Sequence, residues 1–102
     1  MEDKLIENDG MGRLKGFLDE NGRLKQYPKK RGLKMLALAY IASKFELGKE
    51  YSEEEVNAVI KSWHTFGDWA LLRRDLYNNH FFDRLEDGSM YWLEGPRAGE
   101  TG

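Results

Sequence analysis

Residues 52–93 are SEEEVNAVIKSWHTFGDWALLRRDLYNNHFFDRLEDGSMYWL, and their pattern begins with a capped amphipathic helix. Ser52 and Glu55 have the spacing of a capping box, in which the hydroxyl accepts the N–H of Glu55 and the carboxylate accepts the N–H of Ser52. Apolar residues then recur at the spacing of one helical face, at Val56, Val59, Ile60 and Trp63. This periodicity predicts a helix that packs one side against a core.

A second helix is predicted at residues 68–79, after a break at Gly67 and with Asp68 as its N-cap. Its apolar face consists of Trp69, Leu72 and Leu76. The opposite face consists of Ala70, Arg74, Tyr77 and Asn78, with Arg73 on the border between the two. The helix therefore places a basic and polar surface away from the core.

A β-hairpin is predicted next, with strands at residues 81–85 and 90–93. The pair Asp87-Gly88 between them is a strong hairpin signal, and Tyr51 is expected to pair with the hairpin as a short strand. The order of helix, turn, helix and two-stranded wing is that of a winged helix-turn-helix. The expected fold class is α+β and mostly helical, with a C-terminal β-hairpin wing and a short N-terminal helix.

The first half of the chain is expected to contribute a short helix and a long buried one. Leu14, Phe17 and Leu18 have i, i+3, i+4 spacing, which predicts helix over residues 13–20. Pro28 can serve the first turn of the longer helix, which is apolar on most sides and is expected to end near Gly48.

Length and composition indicate one small domain. The chain has 102 residues, 40% of them apolar, and no cysteine, which excludes disulfides and thiolate metal sites. No apolar run approaches the ~18 residues of a membrane span, and the N-terminus lacks the features of a secretory signal. The chain is therefore expected to be cytoplasmic, without a membrane partner. We expect a flexible N-terminus at residues 1–12, a single winged-helix-like domain at 13–93 and a disordered tail at 94–102.

Short motifs along the chain carry a family resemblance. They are GRLK at 22–25, PKK at 28–30, YS and VN at 51–52 and 56–57, LRRDL at 72–76, DR at 83–84, DGS at 87–89 and YW at 91–92. Together they resemble a bacterial family, the domain of unknown function numbered 2087, over about residues 17–93. The resemblance implies a compact winged-helix-like domain, found alone or attached to helix-turn-helix transcriptional regulators, and it implies no biochemical activity. The turn Thr65-Phe66-Gly67 is less acidic than expected for the family.

The charges are segregated although the formal net charge is only −2. Residues 21–45 contain seven basic residues and no acidic one, whereas residues 46–55 contain five acids against one lysine. Such segregation can build a local positive face, and it is equally compatible with a solvated basic loop.

The functional hypothesis is that the domain binds double-stranded DNA as a transcription-regulator module. In a helix-turn-helix the second helix lies in the major groove, and its exposed face contacts base edges. The residues expected at the groove are Arg73, Arg74, Tyr77 and Asn78. Those expected on the phosphate backbone are Lys25, Lys29, Lys30, Arg31 and Lys34.

The alternative is a protein–protein interaction or dimerisation module that binds no nucleic acid. Glu86 and Asp87 at the tip of the wing would repel DNA, and the two arginines could pair with acids in a surface network. The partner would then be a second copy of the chain or a regulator protein.

Catalysis has little support in the sequence. His64 and Asp68 are four residues apart, but Gly67 lies between them, and zinc usually takes three or four protein ligands. His64 is expected to be a turn residue, and His80 is expected to cap the carbonyl end of the preceding helix. The acids Asp83, Glu86 and Asp87 belong to a solvated hairpin tip. We therefore predict no catalytic residue, no metal site and no cofactor.

Overall fold

A computed structural model describes residues 12–94 of the chain. Helical conformation at residues 12–15 is followed by the helices α1 (Arg31–Ala42), α2 (Glu53–Ser62) and α3 (Trp69–Asn78), and the strands are β1 (Phe82–Arg84) and β2 (Tyr91–Leu93). The predicted order of helix, turn, helix and hairpin is confirmed, so the fold is α+β and winged-helix-like. Apart from residues 12 and 94, the predicted flexible N-terminus and disordered tail lie outside the described residues. Across residues 12–94, none of the helices has the length and apolar character needed to cross a membrane.

The start of α2 is fixed by the capping box predicted from the sequence. The Ser52 hydroxyl accepts the N–H of Glu55 at 3.1 Å, and the Glu55 carboxylate accepts the N–H of Ser52 at 2.8 Å. Two N–H groups that lack partners inside the helix are thereby satisfied. On the apolar face, Val56 and Ile60 are fully buried, which holds α2 against the core.

Helix α3 begins and ends with caps of different kinds. At its start, the Asp68 carboxylate accepts the N–H of Leu71, as the sequence predicts. At its end, the N–H of Phe81 donates to the Leu76 carbonyl at 2.9 Å and the N–H of His80 donates to the Tyr77 carbonyl at 3.1 Å. These two bonds form a Schellman motif, in which His80 has a φ of 68°. His80 therefore lies at the carbonyl end of α3, and its backbone rather than its imidazole forms the cap.

The wing is an antiparallel pair in which Phe82 faces Leu93 and Arg84 faces Tyr91. Gly88 has a φ of 77° in the connecting turn, a conformation that glycine adopts without strain. Tyr51 pairs with Tyr91 through two backbone hydrogen bonds of 2.8 and 2.7 Å, which confirms the short strand predicted there.

The short N-terminal helix predicted at residues 13–20 is present, but it ends at residue 15, earlier than predicted. The Asp19 carboxylate accepts the N–H groups of Asn21 and Arg23 at 2.9 and 2.8 Å. The chain has already left the helix, because the N–H groups of Phe17 and Leu18 donate to the carbonyls of Leu14 and Lys15, three residues back, in a turn. Leu18 then pairs with Leu24 in an isolated antiparallel bridge.

The predicted end of the long helix near Gly48 is also wrong. Helix α1 ends at Ala42, and the Ser43 hydroxyl donates to the Tyr40 carbonyl at that end. Gly48 has a φ of 84°, but it lies in the loop that leads back to Tyr51. The sequence signal for a left-handed residue is therefore correct, while its assignment to the helix end is not.

The core consists of two clusters. The larger cluster joins α1, α2, α3 and both strands and includes the fully buried side chains of Leu38, Val56, Leu72, Leu76 and Phe82. The smaller one consists of Leu14, Leu24 and Ala37. Since Leu72 and Leu76 belong to the larger cluster, the core fixes which face of α3 points to solvent.

Candidate nucleic-acid interface

The exposed face of α3 carries the residues that the sequence places there. Leu72 and Leu76 are fully buried, while Ala70, Arg74 and Asn78 on the opposite side are exposed. Tyr77 is half-buried, at the edge of this face. Within residues 12–94, Arg74 forms no ion pair, since the two ion pairs found there involve other arginines. Its guanidinium is therefore available to a ligand.

Arg73 is turned toward α2 instead of toward solvent. Its side chain is 21% exposed, and Nη1 donates to the Asn57 side-chain carbonyl. The same nitrogen lies 3.7 Å from the Glu53 carboxylate. Of the two arginines predicted at the groove, Arg73 thus joins α3 to α2, and Arg74 has the position of a contact residue.

A third arginine, Arg84, completes this surface from the wing. It follows the buried Phe82 by two positions in β1, so its side chain leaves the strand on the same face, toward α3. Its guanidinium carbon lies 4.7 Å from the centre of the Tyr77 ring, a cation–π contact. Arg84 was not among the residues predicted at the groove, although its alternation with the buried Phe82 is a signal that could have found it.

These side chains surround an open cleft of about 330 Å³ between α3 and the wing. We call it the α3–wing cleft, and its lining residues are Arg73, Arg74, Tyr77, Asn78, Arg84 and Tyr91. The four residues predicted at a DNA groove thus lie together around one concave surface. Three arginines, two from α3 and one from β1, line that surface.

The predicted backbone-contacting residues lie in the basic segment, which we define as residues 25–34. The Tyr27 hydroxyl donates to the Asp75 carboxylate of α3 at 2.7 Å, and the Lys34 ammonium lies 5.1 Å from the centre of the Tyr27 ring. The segment is therefore attached to the flank of α3 opposite the wing. Lys34 is half-buried, and the remaining members are exposed, namely Lys25, Lys29, Lys30 and Arg31.

The Tyr27–Asp75 hydrogen bond gives a pH-dependent prediction. Burial, followed by the bond to Asp75, raises the pKa of the Tyr27 hydroxyl above its ordinary value near 10. Above pH ~10, the Tyr27 hydroxyl therefore keeps its proton in the folded protein but loses it in the unfolded chain. The stabilisation is complete below pH ~10 and falls as the pH rises through the folded-state pKa.

We expect Tyr27→Phe to lower the free energy of unfolding by about 1.5 kcal/mol at neutral pH, because it removes a hydrogen bond to a charged acceptor. Urea denaturation of the wild type and the variant from about pH 8 to pH 11 measures the difference in their free energies of unfolding. Other titrating groups contribute equally to both proteins, so their effects largely cancel in this difference. The difference should shrink above pH ~10. A constant difference over this range would contradict the assignment.

Carboxylates at the tip of the wing limit what this surface can contact. The Asp87 carboxylate accepts hydrogen bonds from the hydroxyl and the N–H of Ser89 at 2.7 and 2.9 Å. Both bonds lower the pKa of the Asp87 carboxyl group, and the bond from the hydroxyl has the larger effect. Glu86 is exposed beside it. These two carboxyl groups make the tip unfavourable for phosphate, and Arg84 behind it is the cationic part of the wing.

His64 occupies a buried position in the turn between α2 and α3. It is 4% exposed. Its Nε2 accepts the N–H of Asp68 at 3.0 Å, so Nδ1 carries the proton and donates to the Ile60 carbonyl at 2.7 Å. Both ring nitrogens thereby join the end of α2 to the start of α3. No group of three or more metal-ligating side chains occurs between residues 12 and 94.

The comparisons with known proteins identify a family. The family model described as "Uncharacterized protein conserved in bacteria (DUF2087)" matches residues 23–93, well over half of the chain. The chain belongs to the DUF2087 family. Searches of curated proteins and of solved structures return no match. The DUF2087 match spans α1 to β2 and therefore includes the basic segment, the exposed face of α3 and the α3–wing cleft.

Proposed function

We propose that this DUF2087 protein binds double-stranded DNA through α3, as a cytoplasmic module of the transcription-regulator type. The observation that carries the proposal is the exposed face of α3, where Arg74 and Asn78 lie between a cationic wing residue, Arg84, on one flank and the basic segment on the other. A helix that is held by the core and flanked by cations can enter a major groove while its neighbours contact phosphates.

The side chains on this face match the chemistry of base recognition. An arginine fork can donate two hydrogen bonds to guanine, and an asparagine amide can form a two-bond contact with adenine. Arg74 and Asn78 are one helical turn apart, so they would reach neighbouring base pairs. The exposed lysines of the basic segment supply the salt-dependent attraction to the backbone.

A fluorescence-anisotropy titration with a mixed-sequence duplex of about 20 base pairs tests the proposal. Binding should be detectable at low salt and weaken between about 50 and 200 mM salt, with a slope of about −0.9 for each phosphate neutralised. Affinity that stays undetectable at high micromolar protein would contradict it.

A second candidate function is protein interaction, which one apolar groove favours. This groove lies between the ends of α1, α3 and β2, and its apolar lining includes Ala39, Leu47, Phe81 and Leu93. Leu47 is 60% exposed, which is unusual for a leucine next to other apolar residues. Sedimentation analysis distinguishes the candidates, since a strict monomer at high concentration rules out self-association through this groove.

A further inference from the structure

We infer that the α3–wing cleft seats one phosphate group of the ligand, with Arg74 and Arg84 as its cationic contacts. The inference deepens the proposed function and rests on it for the source of the phosphate, which is the backbone of a DNA duplex. It adds Arg84, a residue of the wing, to the contact surface of α3. It also accounts for a concave site beside the exposed face of that helix.

The geometry of the arginines supports an anion in the cleft. Arg84 lies over the Tyr77 ring at 4.7 Å, and its Nη1 is 3.4 and 3.3 Å from the carbonyls of Leu85 and Glu86. These contacts orient the guanidinium before any ligand arrives. Arg74 approaches from α3 with an exposed side chain. Two planar guanidinium groups can share the several acceptor oxygens of a phosphate, which a single base edge does not offer.

The charge around the cleft favours the same occupant. The described residues that line it include three arginines and no carboxylate. Two acids lie beside it, namely Glu53, half-exposed and 3.7 Å from Arg73 Nη1, and Asp87, whose carboxyl pKa is lowered by its hydrogen bonds and in part by the charge of Arg84. They oppose only part of the positive charge of the three arginines. An anion that enters is attracted by Arg74 and Arg84 and repelled by Glu53 and Asp87.

The position of the cleft decides between a phosphate and a base as its occupant. The cleft lies on the flank of α3 that faces the wing, whereas the outermost ridge of the helix is formed by Ala70, Arg74 and Asn78. If the ridge enters a groove, the flanks face its walls, and those walls are the phosphate backbones. Arg74 borders both surfaces, while Arg84 borders only the cleft.

The test uses Arg84→Gln, which removes the charge, with Lys49→Gln as a control that removes one lysine from a loop outside the cleft. Arg84→Gln should weaken binding of the mixed-sequence duplex about fivefold to tenfold at 50 mM salt and reduce the magnitude of the salt slope by about 0.9, the effect of one lost phosphate contact. Thermal melting followed by circular dichroism checks that both variants are folded. If Arg84→Gln has the same affinity and slope as Lys49→Gln, the inference is overturned.

Glu53→Gln tests the same site by a gain of affinity. The variant should bind the duplex several-fold more tightly, because it removes the carboxylate beside Arg73. Glu54→Gln is the matched control, since it removes a carboxylate from the same first turn of α2 and thus changes the helix end equally. Equal affinities of the two variants would count against the cleft.

Inorganic pyrophosphate separates failure of the inference from failure of the proposed function. If wild-type protein binds no duplex but pyrophosphate causes saturable NMR shifts at Arg74, Tyr77 and Arg84, the cleft is a phosphate site for a free ligand and the DNA proposal alone fails. If duplex binds while Arg84→Gln has no effect, the inference alone fails. If neither probe binds, both fail.

Discussion

Arg74→Ala is expected to weaken DNA binding by about tenfold to a hundredfold, equivalent to about 1–3 kcal/mol. The affected duplexes are those that the wild-type protein enriches from a random pool. The reason is that Arg74 is exposed, forms no ion pair within residues 12–94 and projects from the centre of the helix face proposed to enter the groove. Anisotropy titrations at fixed salt measure the change.

Two further variants make this result specific. Lys49→Ala removes one positive charge from outside the interface and should change affinity far less than Arg74→Ala. Arg73→Ala should also have the smaller effect on base preference, because Arg73 is already engaged by Asn57 and Glu53. Unchanged affinity in the double variant Arg73→Ala/Arg74→Ala would remove α3 from the binding surface.

Phe82→Ala is expected to lower the free energy of unfolding by about 3–5 kcal/mol, the usual cost of truncating a buried aromatic side chain. Phe82 is 1% exposed, and its ring packs edge-on against Phe45 at 4.8 Å between centroids. A small domain has only about 5–15 kcal/mol of stability in total, so a large part would be lost. Urea denaturation followed by circular dichroism measures the difference.

The neighbouring Phe81 provides a matched control. It is half-buried beside the apolar groove, so Phe81→Ala removes the same atoms from a more open site and should cost clearly less. If the two variants were equally destabilised, the placement of the wing against the helices would be in error. The position of Arg84 beside Tyr77 depends on that placement, because Phe82 anchors the strand that carries it.

The parts of the fold that the sequence predicts correctly depend on short-range signals. The capping box at Ser52 and Glu55, the N-cap at Asp68 and the turn at Asp87-Gly88 each involve residues within four positions of one another. Groups separated by so few residues can form hydrogen bonds without contacts from distant parts of the chain. These signals therefore gave the bounds of α2, α3 and the wing with small errors.

The error at residues 13–20 shows the limit of periodicity. Leu14, Phe17 and Leu18 have helical spacing, and all three do pack in the same small cluster. They reach it through a turn and a bridge from Leu18 to Leu24, which backbone hydrogen bonds from Asp19 to Arg23 and from Lys25 to Phe17 hold on either side. The helical spacing of these three residues correctly indicated that they are buried together, but it did not indicate that the backbone between them leaves the helix.

The candidate site was only partly predictable because its geometry depends on contacts between distant residues. The Tyr27–Asp75 bond joins residues 48 positions apart, and it is this bond that attaches the basic segment to α3. The engagement of Arg73 by Asn57 and the position of Arg84 over Tyr77 likewise connect different elements. Composition predicts that cations are present, whereas only the packing of the helices and wing determines which of them share a surface.

The most direct test of DNA binding through α3 is an NMR titration of isotope-labelled protein with a short duplex at low salt. We predict the largest amide shift changes on the exposed face of α3 and in the wing, at residues 70, 74, 77, 78 and 84, with smaller changes across the basic segment. Changes centred instead on the apolar groove around Leu47 and Leu93, or no changes at all, would contradict it.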